Sequence, residues 1–149
     1  MMSFTLPDIS LGAGIIFLLF FLFGFIFYSS LFAAVGASVN SESEARQAAS
    51  PLMIMIISTA VFIQPVLLNP TGTTARVLSL VPFSSPIIMP IRMAVIGIPA
   101  LELAASLGFL AIGCLVALWL ASRIYRVGLL MYGKRPSIRE MARWVSYAR

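Results

Sequence analysis

The chain has 149 residues, 60% of them hydrophobic and only 10% charged, whereas a soluble domain is typically about a quarter charged and under half apolar. A water-soluble globule needs polar residues over its surface and is excluded, so the solvent for most of this chain is lipid. The net charge of +5 is gathered in residues 123–149, where seven Lys and Arg stand against Glu140 alone and leave everything before them at −1; basicity at one end suits a membrane surface and argues against nucleic acid.

Residues 9–41 carry no charge, and the run from 11 to 39 makes a helix of about 43 Å against a hydrocarbon core of roughly 30 Å. This is the first predicted span. No basic residue precedes it and its apolar stretch is far too long for a cleavable signal. Small residues recur at spacing four toward its inner end, Ser29, Ala33 and Ala37 beside Ser30, Ala34 and Ser38, which permits close helix contact.

Ser41 and Glu44 have the spacing of a capping box, so a helix starts near Ser43 after a short polar turn. It enters the membrane near Pro51 and spans to about Leu68. Pro51 and Pro65 are expected to bend it or mark its ends. Gln64 is the only side-chain amide inside a predicted span and needs a partner in lipid; a backbone carbonyl freed by Pro65 and a transported substrate are the alternatives.

Asn69-Pro70-Thr71-Gly72 reads as a turn. The next uncharged run, 77–91, is short and holds Pro82, Pro86 and Pro90. It is too broken to span, and the region 77–97 is expected to dip into the membrane as one or two half-helices and return on the same side, where protein or a water-filled cavity must cover it. The last predicted span covers about 99–124. Glu102 lies in its first turn, where the helix dipole favours a carboxylate; an entrance for cations is the alternative. Trp119, Tyr125 and Tyr132 fall toward the basic end, as interfacial aromatics do. With the N-terminus outside, the cytoplasm receives Arg46 and the tail, and the outside only Arg76 and Arg92, so the Lys/Arg bias makes the C-terminus cytoplasmic. Ser137 and Glu140 open a last helix, expected over 137–148, whose apolar and basic faces suit the inner membrane surface.

Chemistry of its own is not expected. Gly128 to Lys134 fits the first seven positions of a phosphate-binding loop, but Arg135 stands where the magnesium-binding hydroxyl is needed and no strand precedes it. The chain has no histidine, which removes the commonest general base and metal ligand. Glu42 and Glu44 point apart on a helix. No catalytic, cofactor-binding or metal-binding residue is assigned.

Three stretches resemble the C-terminal half of an ABC-2 type transporter permease of the sodium-efflux-like group: Leu31 to Gln47, Leu80 to Pro86 with Arg92, and Ala121 to Pro136. The resemblance implies a single all-α membrane domain over 1–149, with three transmembrane helices, an extracellular re-entrant segment and a cytoplasmic amphipathic C-terminal helix. It implies spans four to six of a six-span permease in the cell membrane, part of an ATP-driven exporter. The partners implied are an ABC ATPase subunit that holds ATP and magnesium, a second permease copy or the missing N-terminal half, and anionic lipid. Candidate path or gating residues are Gln64, Ser84, Ser85, Arg92 and Glu102; candidate inner-surface contacts are Glu42, Glu44, Arg46, Arg126, Lys134 and Arg135. Few hard ligands lie at membrane depth, which disfavours sodium as the substrate. The competing expectation is a non-transporting membrane scaffold or assembly protein.

Overall fold

The computed structural model describes residues 10–130 together with Arg139 and Arg143. Among the described residues there are six helices and no strand: α1 (Leu11–Ala37), α2 (Glu42–Val61), α3 (Ile63–Leu68), α4 (Thr73–Leu80), α5 (Ser85–Val95) and α6 (Ala100–Leu130). Three stretches are long and apolar enough to cross a membrane, Leu11–Ala37, Glu42–Leu68 and Ala100–Val127. The tail helix expected over 137–148 lies outside the described residues apart from Arg139 and Arg143, which are helical.

The helix starts follow their caps. Ser10 Oγ accepts the Ala13 N–H at 3.2 Å and starts α1, and Ser41 Oγ accepts the Glu44 N–H at 3.3 Å and starts α2. Glu44 reaches back to the Asn40 N–H, 3.4 Å away, one residue earlier than a capping box requires. Pro51 lies inside α2 and does not end it. The interruption comes at Phe62, whose N–H bonds Thr59 O at 3.1 Å. Pro65 has no N–H to offer the Val61 carbonyl one turn earlier, so the regular ladder cannot continue through this point.

The proline-rich region forms two short helices, beginning at Thr73 rather than 77 and ending at Val95. Their turn is closed by Ser84 and Ser85 N–H groups on Val81 O, at 3.1 and 2.8 Å. Pro86 occupies the first turn of α5, where a missing N–H costs no intrahelical bond.

The tip of this hairpin sits between α1 and α6. A Cβ on Gly24 of α1 would lie 2.6 Å from Pro86 Cβ, and one on Gly113 of α6 would lie 2.7 Å from Pro82 Cβ. Each glycine therefore makes room for one proline ring. The Tyr28 hydroxyl donates to Phe83 O at 2.5 Å, and the Phe83 ring meets Phe27 and Tyr28 edge-on. Helices α1 and α6 run in the same direction: Ile16 and Leu103 border one hollow near their starts, and Phe27 lies beside Gly113 half-way along. Phe20, Phe27, Leu110, Cys114 and Ala117 form the buried seam between them, joined by Met89 of α5. Of the two small-residue faces expected on α1, the structure buries the one with Ser30 and Ala34 and leaves Ser29 and Ala33 exposed.

Candidate functional site

The most buried charge is Arg92, near the end of α5 and 1% exposed. Its guanidinium has three acceptors on three other segments. Nη1 donates to Glu102 Oε1 at 2.6 Å and to Ser79 Oγ at 2.6 Å, and Nε donates to Pro70 O at 2.9 Å. One side chain thus ties together the α3–α4 turn, α4, α5 and the first turn of α6.

The network continues inward through hydroxyls. Ser79 Oγ donates to Arg76 O at 2.9 Å, and Ser106 Oγ donates to Ser79 O. With its only proton so committed, Ser106 accepts from Ser85 Oγ, 2.7 Å away. Ser84 Oγ bonds the Leu78 carbonyl beside it. Burying an ion pair costs several kcal/mol per ion unless its remaining lone pairs and protons are matched; here the two neutral acceptors on Arg92 help meet that requirement, and the Glu102 side chain keeps 19% exposure.

Of the candidate path residues, Ser85, Arg92 and Glu102 are therefore joined in one network through Ser79 and Ser106, the Ser84 hydroxyl bonds only the carbonyls of Leu78 and Val81, and Gln64 takes no part. Gln64 is exposed on α3 and has no hydrogen-bond partner among the described residues, so the expected bond to a carbonyl freed by Pro65 is not made. Glu102, in the first turn of α6, is ion-paired with Arg92, a place where the helix dipole favours a carboxylate. An open hollow of about 370 Å³ lies between the starts of α1 and α6 and the end of α5; none of the candidate residues lines it. Among the described residues no three His, Cys, Asp or Glu gather to hold a metal ion.

At the other end, Glu42, Glu44 and Arg46 share the turn into α2. Arg46 pairs with Glu42 at 2.7 Å, both largely exposed. Arg126 is exposed on α6, and the Arg123 guanidinium lies 4.4 Å from the Trp119 ring, a cation–π arrangement. Lys134 and Arg135 lie outside the described residues.

Sequence reasoning missed Ser79, Tyr28, Gly24 and Gly113 as parts of this assembly. Their only signal was a small or polar residue within an apolar helix, which does not say what it meets.

Comparison with known proteins settles the family. The family described as ABC-2 family transporter protein matches residues 1–123. The chain belongs to the ABC-2 transporter family. Two curated relatives of this ABC-2 chain are each 27% identical to it: uncharacterized protein MJ1024 of Methanocaldococcus jannaschii, over 89% of this chain and 33% of its own length, and uncharacterized protein YhaP of Bacillus subtilis, over 91% and 32%. The ABC-2 chain thus spans about a third of the length of the curated relatives it matches. No solved structure matches it. Family and helix composition together make it a multi-pass membrane protein.

Proposed function

We propose that the chain is the membrane part of an ATP-driven exporter permease, working with a separate ABC ATPase that binds and hydrolyses ATP with magnesium. The family match over 1–123 supports this reading most directly. In it, the N-terminus is outside and the tail inside, as the Lys/Arg bias argues. The α4–α5 hairpin is re-entrant from the outside. Its irregular backbone is tolerable at membrane depth because α1 and α6 cover it, as the Gly24–Pro86 and Gly113–Pro82 contacts exemplify.

Each candidate residue then has a role. Arg92, Glu102, Ser84 and Ser85 hold the outer hairpin in place beside the path, and Gln64 faces the path. The start of α2 with exposed Glu42 and Arg46 and half-buried Glu44, together with Arg126, Lys134 and Arg135, forms the inner surface offered to the ATPase and to anionic lipid. A second permease copy, or the remainder of a longer permease, completes the path.

The test is to express the longest reading frame containing this chain with a candidate ABC ATPase encoded beside it, purify the pair, and measure hydrolysis in liposomes. The expected result is a stable complex whose ATPase rate depends on the permease. Absence of association overturns the reading and favours a membrane scaffold.

A further inference from the structure

The hollow between the starts of α1 and α6 lies at the level of hydrocarbon. Leu11 and Leu101, in the first turns of these two helices, are 86% and 83% exposed, the two highest values of any large apolar side chain among the described residues. Side chains so placed on membrane-crossing helices belong in the acyl region, which therefore reaches the hollow beside them. The walls are apolar: Ile16 of α1, Met93 of α5, Ile96 and Ile98 of the linker, and Leu103 of α6. The single hydroxyl on the lining, Ser10, caps α1 by accepting the Ala13 N–H. A space of about 370 Å³ with so few polar partners does not hold water in place, and a void against these walls would forfeit their dispersion contacts.

Two glycines keep the hollow open. Gly12 and Gly97 line it, and a Cβ placed on either meets nothing within 4 Å. Neither has a backbone angle that favours glycine, so what their bare Cα atoms supply is room. The linker adds donors. The Ile96 N–H closes α5 on Arg92 O at 2.9 Å, but the next two N–H groups, of Gly97 and Ile98, have no acceptor among the described residues. Backbone donors at membrane depth need one.

We propose that the hollow binds one acyl chain of a membrane glycerolipid, whose ester carbonyls accept from the Gly97 and Ile98 N–H groups. The occupant has to be apolar against Ile16, Met93 and Leu103 and to carry oxygen acceptors at the linker. A glycerolipid joins the two in one molecule, and it already bathes Leu11 and Leu101 on the same surface, so the hollow is continuous with the lipid-facing exterior. Ile16 stands about 8 Å along α1 from Leu11; the upper part of a chain therefore fills the hollow while its ester stays at the rim. This site needs only that the chain is a membrane protein and does not depend on the exporter reading.

The experiment is photo-cross-linking of the full chain in lipid nanodiscs, with a phosphatidylcholine that carries a diazirine in the upper half of one acyl chain, and adducts mapped by mass spectrometry. Adducts are expected to concentrate on residues 10–16 and 93–103. The exposed side chains Leu18, Phe21 and Phe25 of α1 report contact with bulk lipid. Labelling of the hollow no denser than theirs means bulk lipid only and overturns the proposal, as does a hollow left unlabelled because protein fills it. Gly97→Leu and Gly12→Leu put a side chain into the space and should lower adducts there about ten-fold, since two groups cannot share it. Gly36→Leu, at the far end of α1 and equally unobstructed, should leave them unchanged. A second measurement follows unfolding of delipidated protein as phosphatidylcholine is added back: the midpoint should rise more for wild type than for Gly97→Leu, whose own side chain already occupies the hollow. Equal rises, or hollow adducts undiminished in Gly97→Leu, overturn the proposal.

Discussion

Arg92→Met tests how the cluster around α5 is held. The substitution keeps an unbranched stem of similar reach and deletes three donations, to Glu102, Ser79 and Pro70 at 2.6, 2.6 and 2.9 Å. Hydrogen bonds from a charged group contribute about 1.5–3 kcal/mol each, but the variant no longer desolvates a guanidinium that is 1% exposed. What remains is a largely buried carboxylate without its cation, for which losses of about 3–5 kcal/mol are typical. Because the Glu102 side chain is 19% exposed and can turn toward water, the lower end, about 3 kcal/mol, is expected. Arg92→Met combined with Glu102→Leu removes both charges and should recover about 2 kcal/mol of that loss. The assay is SDS-titrated unfolding in bicelles followed by tryptophan fluorescence. An Arg92→Met variant within about 1 kcal/mol of wild type, or a double variant whose loss is the sum of the single ones, refutes the account of Arg92 as the buried tie between four segments.

Gly24→Ala and Gly113→Ala each place a methyl group under 3 Å from a proline ring and should cost about 1–3 kcal/mol through overpacking; Gly108→Ala, with nothing within 4 Å, should be neutral or slightly stabilising on the same titration. Equal effects at the three glycines would refute the seating of the hairpin tip. Tyr28→Phe leaves the Phe83 carbonyl without its donor and should lower stability by about 1–2 kcal/mol, with faster hydrogen exchange in the hairpin turn; unchanged exchange there counts against the contact.

What could be read from the sequence was governed by composition over long windows. Charge-free runs gave three helical stretches long and apolar enough to cross a membrane, and the cluster of Pro82, Pro86 and Pro90 marked a stretch that folds as two short helices instead. Single prolines were less informative. Pro51 sits within α2 because a proline removes one bond and a long helix keeps the rest, whereas Pro65 coincides with an interruption at Phe62. The charged pair was hidden for another reason. Arg92 and Glu102 are ten residues apart, a separation outside the i,i+3 and i,i+4 rules that make helical pairs visible in sequence; they meet only because the chain reverses between α5 and α6. The seats at Gly24 and Gly113 depend on the depth at which the hairpin tip stops, which no local pattern encodes.

The Arg92 tie also sets an order of assembly. As the chain emerges from N- to C-terminus, Pro70 and Ser79 precede Arg92, but its anionic partner among the described residues follows ten residues later, at the start of α6. The seat for Pro82 comes later still, at Gly113. Until α6 is made, the hairpin carries a guanidinium without that carboxylate and lacks one of its two flanking walls. A nascent chain stopped before Glu102 therefore holds the hairpin without its ion pair and without its second wall.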